Sequence, residues 1–347
     1  MPSPNSAERL LSSVVVEVGA SDSRDSSVVG KPLVSVVIPT YNRAHLVSRA
    51  IRSALAQDFP ALEVIIVDDG STDETPQLVS QFEAVRSIRF EHNRGGAAAR
   101  NAGIEAARGE FVAFLDSDDE WLPTKTRRQV DVMWGSPAIG AVYCRHFVQD
   151  DATGQRIEAF SELNTGSIRR ELFRGRCPRS VSLFLVRRTA LEQVGGFDES
   201  LSGFQDADLW IRLSDDWEFG AVDEALVVVH EHAGARVTTD PIVRERALES
   251  FLDKWREPMT QAMGTSGIAA YRRRNMAVAL SAQVLALVES RQRRRAVQEL
   301  VRYIRLAGRS NPTQAAGLVL ACLVGTRVHS RLLAAVRSKR SRGLINR

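Results

Sequence analysis

Cysteine is nearly absent, with only Cys144, Cys177 and Cys322 in 347 residues. The three show neither metal-ligand nor redox spacing, which suits a reducing cytoplasm. No Gly-x-Gly-x-x-Gly follows the first strand-like run and no Gly-x4-Gly-Lys-[Ser/Thr] occurs anywhere, so dinucleotide-binding and P-loop readings lose their main support. Long apolar runs are missing as well. Ala315 to Gly325 is nearly all apolar but has 11 residues, against the ~20 that a bilayer-spanning helix needs. Residues 1–31 carry Ser, Asp and Glu around a short stretch at Val14–Val18; no signal peptide is visible, and a flexible leader is expected.

Three short apolar, strand-like runs, the first two rich in β-branched residues, each end in a polar turn. Leu33–Ile38 runs into Pro39-Thr40-Tyr41-Asn42-Arg43, Leu62–Val67 into Asp68-Asp69-Gly70-Ser71-Thr72-Asp73, and Phe111–Leu115 into Asp116-Ser117-Asp118-Asp119. Helical patterns follow the first two, which predicts repeated βα units around a parallel sheet buried on both faces. In such sheets ligands gather beyond the carboxyl ends of the strands, where the three turns would converge.

The third turn is the most telling. Three carboxylates within four residues repel one another unless a cation or a set of donors compensates. Oxygen-only ligands on a short loop favour Mg²⁺ or Mn²⁺, ions that keep several waters and share substrate phosphates. An isolated Asp-x-Asp is more often a solvated acidic turn; the two companion turns argue for a site. Between the second and third runs, Asn93–Gly103 has small residues at nearly every position. Such a segment is either a packing helix or one whose N-terminus approaches a ligand, and Arg100 would then meet a phosphate or base.

Six segments taken in order resemble the family 2 glycosyltransferases of the GT-A fold: VSVVIPTYNR (34–43), VDDGSTD (67–73), GGAAARNAG (95–103), FLDSDD (114–119), GGFDE (195–199) and FQDADLWIRL (204–213). They spread over roughly residues 33–238. The resemblance implies an α/β, Rossmann-like, mostly parallel sheet flanked by helices, with a C-terminal helical extension. It further implies that Pro39, Thr40, Asn42 and Arg43 lie against a nucleotide and that Asp69 contacts the base. Arg100 would approach the base or diphosphate. Asp116 and Asp118 would hold the ribose and a metal-bridged diphosphate.

Family members often carry Glu-Asp where this chain has Gln205-Asp206, and the resemblance makes Asp206 the catalytic base. Read from the residues alone, Asp206 is as readily a compensating charge in the first turn of a helix over Gln205–Leu213. Asp208 is spaced to pair with Arg212. His230 and His232 follow the run Ala225–Val229; His232, followed by Gly234, resembles the family's His-x-Gly and is the candidate third metal ligand, whereas His230 reads as an ordinary surface residue. A base opposite the leaving diphosphate implies single displacement with inversion. The expected reaction moves a sugar from a nucleotide donor, a UDP-sugar first among them, to a glycan, lipid-linked or protein hydroxyl. The competing expectation is a nucleotide-sugar-binding assembly partner without catalysis. Phe197, Asp198 and the stretch from Tyr143 to Arg179 would shape the acceptor side.

Charge divides the chain. Residues 265–347 hold 17 basic residues against two acidic ones, and residues 1–264 hold 29 against 40. With ~100–200 residues per domain as a prior, the expected plan is a leader (1–31), a catalytic domain (32–240) and a basic helical extension (241–347). Helical patterns are expected near 267–289, 292–307 and 313–336. Arg327, Arg331, Arg337, Lys339, Arg340 and Arg342 follow the apolar stretch, which suggests attachment to an anionic membrane surface from the cytoplasmic side. The alternative is a bundle packed on the catalytic domain or on a second subunit. No nucleic-acid-binding module accompanies the basic charge.

Overall fold

The computed structural model describes residues 34–159, 162–178, 180–231, 240–307 and 311–324. The expected leader, His232 and the basic positions from Arg327 onward lie outside these residues. The chain divides into two compact units, 1–233 and 234–347.

In the first unit the three apolar runs are strands. β1 (Val34–Thr40), β2 (Leu62–Asp68), β3 (Val85–Arg89) and β4 (Phe111–Phe114) are separated by α1 (Val47–Leu55), α2 (Thr75–Val79) and α3 (Gly96–Ala106). Every residue of β1 and β4 is buried. That is the signature of a sheet covered on both faces. After β4 come β5 (Glu120–Trp121), α4 (Lys125–Trp134), β6 (Ile139–Asp150), β7 (Arg156–Ala159), α5 (Arg169–Phe173), β8 (Phe184–Arg187), α6 (Arg188–Val194), α7 (Gln205–Leu213) and β9 (Glu218–Glu231). The sheet runs β3-β2-β1-β4-β8-β6-β9-β5, with β7 added against β6.

The parallel arrangement expected from the βα pattern holds from β3 to β4. Beyond β4 the sheet is mixed. β8 pairs antiparallel with both β4 and β6, β6 and β9 are parallel, and β5 folds back antiparallel on β9. The register of β1 on β2 sets Pro39 opposite Val67 and Thr40 opposite Asp68, so the first two polar turns leave the sheet side by side.

α3 explains the run of small residues. Ala97, Ala98, Ala99 and Gly103 are all buried. A Cβ on Gly103 would lie 2.2 Å from Val37 Cγ1 of β1, so only a residue without a side chain lets the helix lie this close to the strand.

The described residues of the second unit are built of helices. α8 (Pro241–Glu289) starts with Asp240 accepting from the backbone N–H groups of Ile242 and Val243. It is not one rod: Gly264 sits at φ 69, ψ 172, outside helical space. The segments on either side fold back on each other. Phe251 stacks on Tyr271 at 6.2 Å, Arg272 pairs with Glu245 and Glu249, and Arg244 donates to Asn275. α9 (Arg293–Ala307) and α10 (Pro312–Val324) complete a core around Leu280, Val284, Leu300, Tyr303, Ala307 and Leu318. Leu318 and Ala321 are buried, and Ala315 and Cys322 pack on this core. One face of the apolar stretch is therefore used inside the unit. Among the described residues no helix is long and apolar enough to cross a membrane.

Replacing Gly103 by Ala forces a methyl group into Val37, and overpacking of this kind costs about 1–3 kcal/mol. Thermal or urea unfolding of Gly103→Ala measures it; an unchanged midpoint would contradict the close packing of α3 on β1.

Candidate active site

Two turns are stapled together at the head of the sheet. Asn42 sits at φ 50, a left-handed conformation that asparagine tolerates better than most residues. There its side-chain oxygen accepts from the Thr72 N–H at 2.8 Å, while its own N–H donates to Ser71 Oγ at 2.9 Å. Next to it, the Arg43 N–H donates to Thr75 Oγ1 and the Ala44 N–H to Asp73 Oδ2. Against the desolvation that opposes them, hydrogen bonds from the Thr75 hydroxyl and N–H and from the Ala44 N–H hold the Asp73 carboxyl below its ordinary range. Asn42 thus shapes the neighbouring turn as much as it lines the space above it.

Asp69 is buried and binds the start of the next loop. Its two oxygens accept from the Arg94 N–H at 2.6 Å and the Gly95 N–H at 2.9 Å. Burial nevertheless raises its pKa, with the two backbone bonds opposing and the adjacent Asp68 adding to the rise. Gly95, at φ 93, opens α3 directly from this contact. Thr40 closes β1, and its backbone oxygen receives the Asp69 N–H; its buried hydroxyl has no protein hydrogen-bond partner. A polar atom left over here is available to a ligand.

The third turn gathers charge of both signs. Arg100 donates to Asp116 Oδ1 at 2.6 Å, and its guanidinium lies 5.5 Å from the centre of the Phe197 ring. The Asp116 N–H donates to Ser182 Oγ, whose hydroxyl donates in turn to Asp119 at 2.6 Å. Asp119 is buried, and its carboxyl is pushed far above the usual range by desolvation first and then by the charges of Asp116 and Asp118. Asp116 and Asp118, by contrast, are only half-buried.

α7 is preceded by Phe204 at φ 60, and the Asp206 carboxylate accepts the Ala207 N–H at 2.8 Å. Asp208 pairs with Arg212 at 2.8 Å, as the spacing predicts, and is fully buried. Arg212 also donates to the backbone oxygens of Val194 and Gly196 at 2.7 Å each, clamping α7 to the GGFDE turn. That turn rests on β4 and α3: Phe197 meets Phe114 edge-on at 5.2 Å and its N–H donates to Asn101. The contacts therefore run without a break from Asp116 through Arg100 and Phe197 to the helix that carries Asp206. Tyr143 fixes the neighbouring segment by accepting the Asn164 N–H and donating to the Asn164 oxygen.

His230 differs from the expectation of a surface residue. It is buried on β9, with Nδ1 2.6 Å from Asp151 and Nε2 3.3 Å from Glu120. Asp151 also lies 3.6 Å from Arg49, and Arg49 donates to the Asp118 backbone oxygen at 2.8 Å. The ion pairs hold the Asp151 carboxyl down against its partial burial. Arg49, Asp151, Glu120 and His230 were not legible as a group, because they come from α1, the end of β6, β5 and β9. Lys125 was missed although its contacts are local. It is fully buried 3.8 Å from the centre of the Trp121 ring, bonded to Gln129, and burial lowers its pKa to about 8.

Among the described residues no three His, Cys, Asp or Glu side chains gather as a metal-ligand cluster. Asp116 and Asp118 thus offer at most two carboxylates. That set fits Mg²⁺ or Mn²⁺ held jointly with phosphate oxygens and water, rather than a cage made of protein alone.

Arg49 reaches the acidic turn through its backbone, so shortening the side chain should loosen the turn without removing a carboxylate. Arg49→Lys is expected to weaken Mn²⁺-dependent nucleotide binding about tenfold, the loss associated with disturbing the outer partners of metal ligands, and His230→Ala less. Calorimetric titration checks this; wild-type affinity in both variants would show that the network does not support the turn.

The geometry agrees with three comparisons. Residues 35–195 match the sequence profile of Glycosyl transferase family 2. A glycosyltransferase of Rickettsia conorii is 33% identical over 217 residues, 62% of this chain and 35% of the relative, so the chain spans only about a third of that protein's length. The Escherichia coli UDP-Glc:alpha-D-GlcNAc-diphosphoundecaprenol beta-1,3-glucosyltransferase WfaP is 31% identical over 166 residues, 47% of this chain and 63% of WfaP. Among solved structures, the Pyrobaculum calidifontis mannosyltransferase PcManGT, in complex with GDP-Man and Mn²⁺, matches with TM-score 0.55 and 22% identity, covering 85% of this chain and 87% of that one. Staphylococcus aureus TarS 1–349, in complex with UDP-GlcNAc, matches with TM-score 0.53 and 20% identity over 73% of this chain and 81% of its own. At these identities the structural matches establish the GT-A fold. The family likeness thus rests on one domain, residues 35–195, which matches Glycosyl transferase family 2.

Proposed function

We propose that this chain is an inverting glycosyltransferase that transfers a sugar from a UDP-sugar to the hydroxyl of a lipid-linked or polysaccharide acceptor. The observation that carries the reading is the continuous set of contacts joining the acidic turn, Arg100, Phe197 and the α7 helix that bears Asp206. WfaP, by its name, uses UDP-glucose and a diphosphoundecaprenol-linked sugar. Those two features supply the donor and acceptor classes proposed here. The reaction would take place at the cytoplasmic face of the membrane.

The roles are those the family resemblance implies. Asp69 and the unpartnered Thr40 hydroxyl would receive the base and ribose at the ends of β1 and β2. Pro39, Asn42 and Arg43 would wall the nucleotide, and Arg100 would balance the diphosphate. Asp116 and Asp118 would hold Mn²⁺ or Mg²⁺, which when bound supplies positive charge for the leaving diphosphate. His232 is kept as a proposed third ligand. Asp206 would take the proton from the acceptor hydroxyl as its oxygen bonds to the anomeric carbon. As that bond forms, the bond from the same carbon to the diphosphate breaks on the opposite face, which inverts the centre.

The test separates binding from turnover. Asp206→Asn is expected to bind UDP-sugar with Mn²⁺ at wild-type affinity and to lose at least ~100-fold in transfer, the scale of a general base. Asp118→Ala is expected to lose metal-dependent binding itself. Full transfer by Asp206→Asn would remove the base assignment, and donor binding without transfer by the wild type to any acceptor would favour a non-catalytic assembly partner.

A further inference from the structure

The described residues expose twelve large hydrophobic side chains, and eight of them lie in the helical unit. Three line up on α9. Val297 (49% exposed), Val301 (41%) and Ile304 (43%) sit at i, i+4 and i+7 and so share one face of the helix. This stripe is not the one that packs inward: Ala296, Leu300, Tyr303 and Ala307 already fill that role. At ~100° per residue, the outward stripe borders the packed one on one side and Arg294 and Arg305 on the other. Both arginines are exposed, and α9 as a whole carries five arginines against Glu299. Of these, Arg302 pairs with Glu299 and Arg295 donates to Gln292. On α10, Val319 (38%) and Leu323 (71%) form a second exposed pair at i and i+4.

We propose that α9 is an interfacial helix that lays its Val297–Val301–Ile304 stripe on an anionic lipid surface, with Arg294 and Arg305 reaching the phosphate headgroups. The occupant follows from the pattern. A protein interface would shield aliphatic side chains without needing a border of exposed arginines. A helix lying in a headgroup layer needs both an apolar face and flanking cations whose aliphatic stems can lie along it. The inference moves the lipid contact away from Ala315–Gly325, one face of which is consumed in the helical core, and onto α9. It extends the reading of a lipid-linked acceptor, because the same surface that carries such an acceptor would hold the enzyme. It does not depend on catalysis.

The test is sedimentation of the full chain with vesicles of phosphatidylcholine alone and of phosphatidylcholine with phosphatidylglycerol. Binding is expected with the anionic vesicles only, weakening as salt is raised. Val301→Asp and the double variant Arg294→Gln/Arg305→Gln should each reduce the bound fraction about tenfold, with circular dichroism and UDP-sugar binding unchanged. The arginine pair keeps the test valid if Val301→Asp fails to fold. Vesicle binding that survives both changes would place the contact on another segment and overturn the proposal. So would equal binding to neutral vesicles, or a dimer in light scattering that Val301→Asp dissociates. Loss of UDP-sugar turnover with vesicle binding intact would count against the transferase reading alone.

Discussion

The head of the sheet is held together by backbone N–H groups of one turn finding side-chain oxygens of the next. Parallel strands end together and release their loops with unpaired donors, and buried donors must be satisfied. Here Asn42 answers Thr72, Asp73 answers Ala44, and Asp69 answers Arg94 and Gly95. Each bond reaches 25 residues or more along the sequence. They fix the second turn, the entry to α3 and therefore the place of Arg100 before any ligand arrives. Preorganisation of this kind is what a site for a highly charged donor requires.

A second constraint is the balance of charge in the acidic turn. Asp116, Asp118 and Asp119 occupy one loop, and the structure divides their labour. Asp116 faces Arg100, Asp118 is anchored through its backbone oxygen to Arg49, and Asp119 is buried under the Ser182 hydroxyl, where its charged form is disfavoured. That leaves Asp116 and Asp118 as the two half-buried carboxylates of the turn, the pair proposed to share a divalent ion with a diphosphate.

What could be read from the sequence was local. Apolar runs ending in polar turns gave β1, β2 and β4, and the Asp208–Arg212 spacing gave its ion pair. The helices from residue 265 onward emerged close to their expected limits as far as Val324. The hidden part came from contacts between distant segments. Nothing in Val227-Val228-Val229-His230 announces that β9 will pair with β6 and β5 and so bring His230 between Asp151 and Glu120. The reversal of strand direction after β4 was equally silent, since short apolar runs carry no mark of their partner's direction. The helical segment before Gly264, which packs against the one after it, was not among the expected helices.

The most direct measurement of the interlocked turns is amide hydrogen exchange on the full chain without nucleotide or metal, followed by mass spectrometry over peptides covering residues 71–75 and 92–96. If Asp69 and Asn42 hold these amides as the distances indicate, Thr72, Arg94 and Gly95 will exchange far more slowly than unstructured loop amides. Exchange at the rate of an open loop, slowing only when UDP and Mn²⁺ are added, would contradict a preassembled site and mean that the donor builds it.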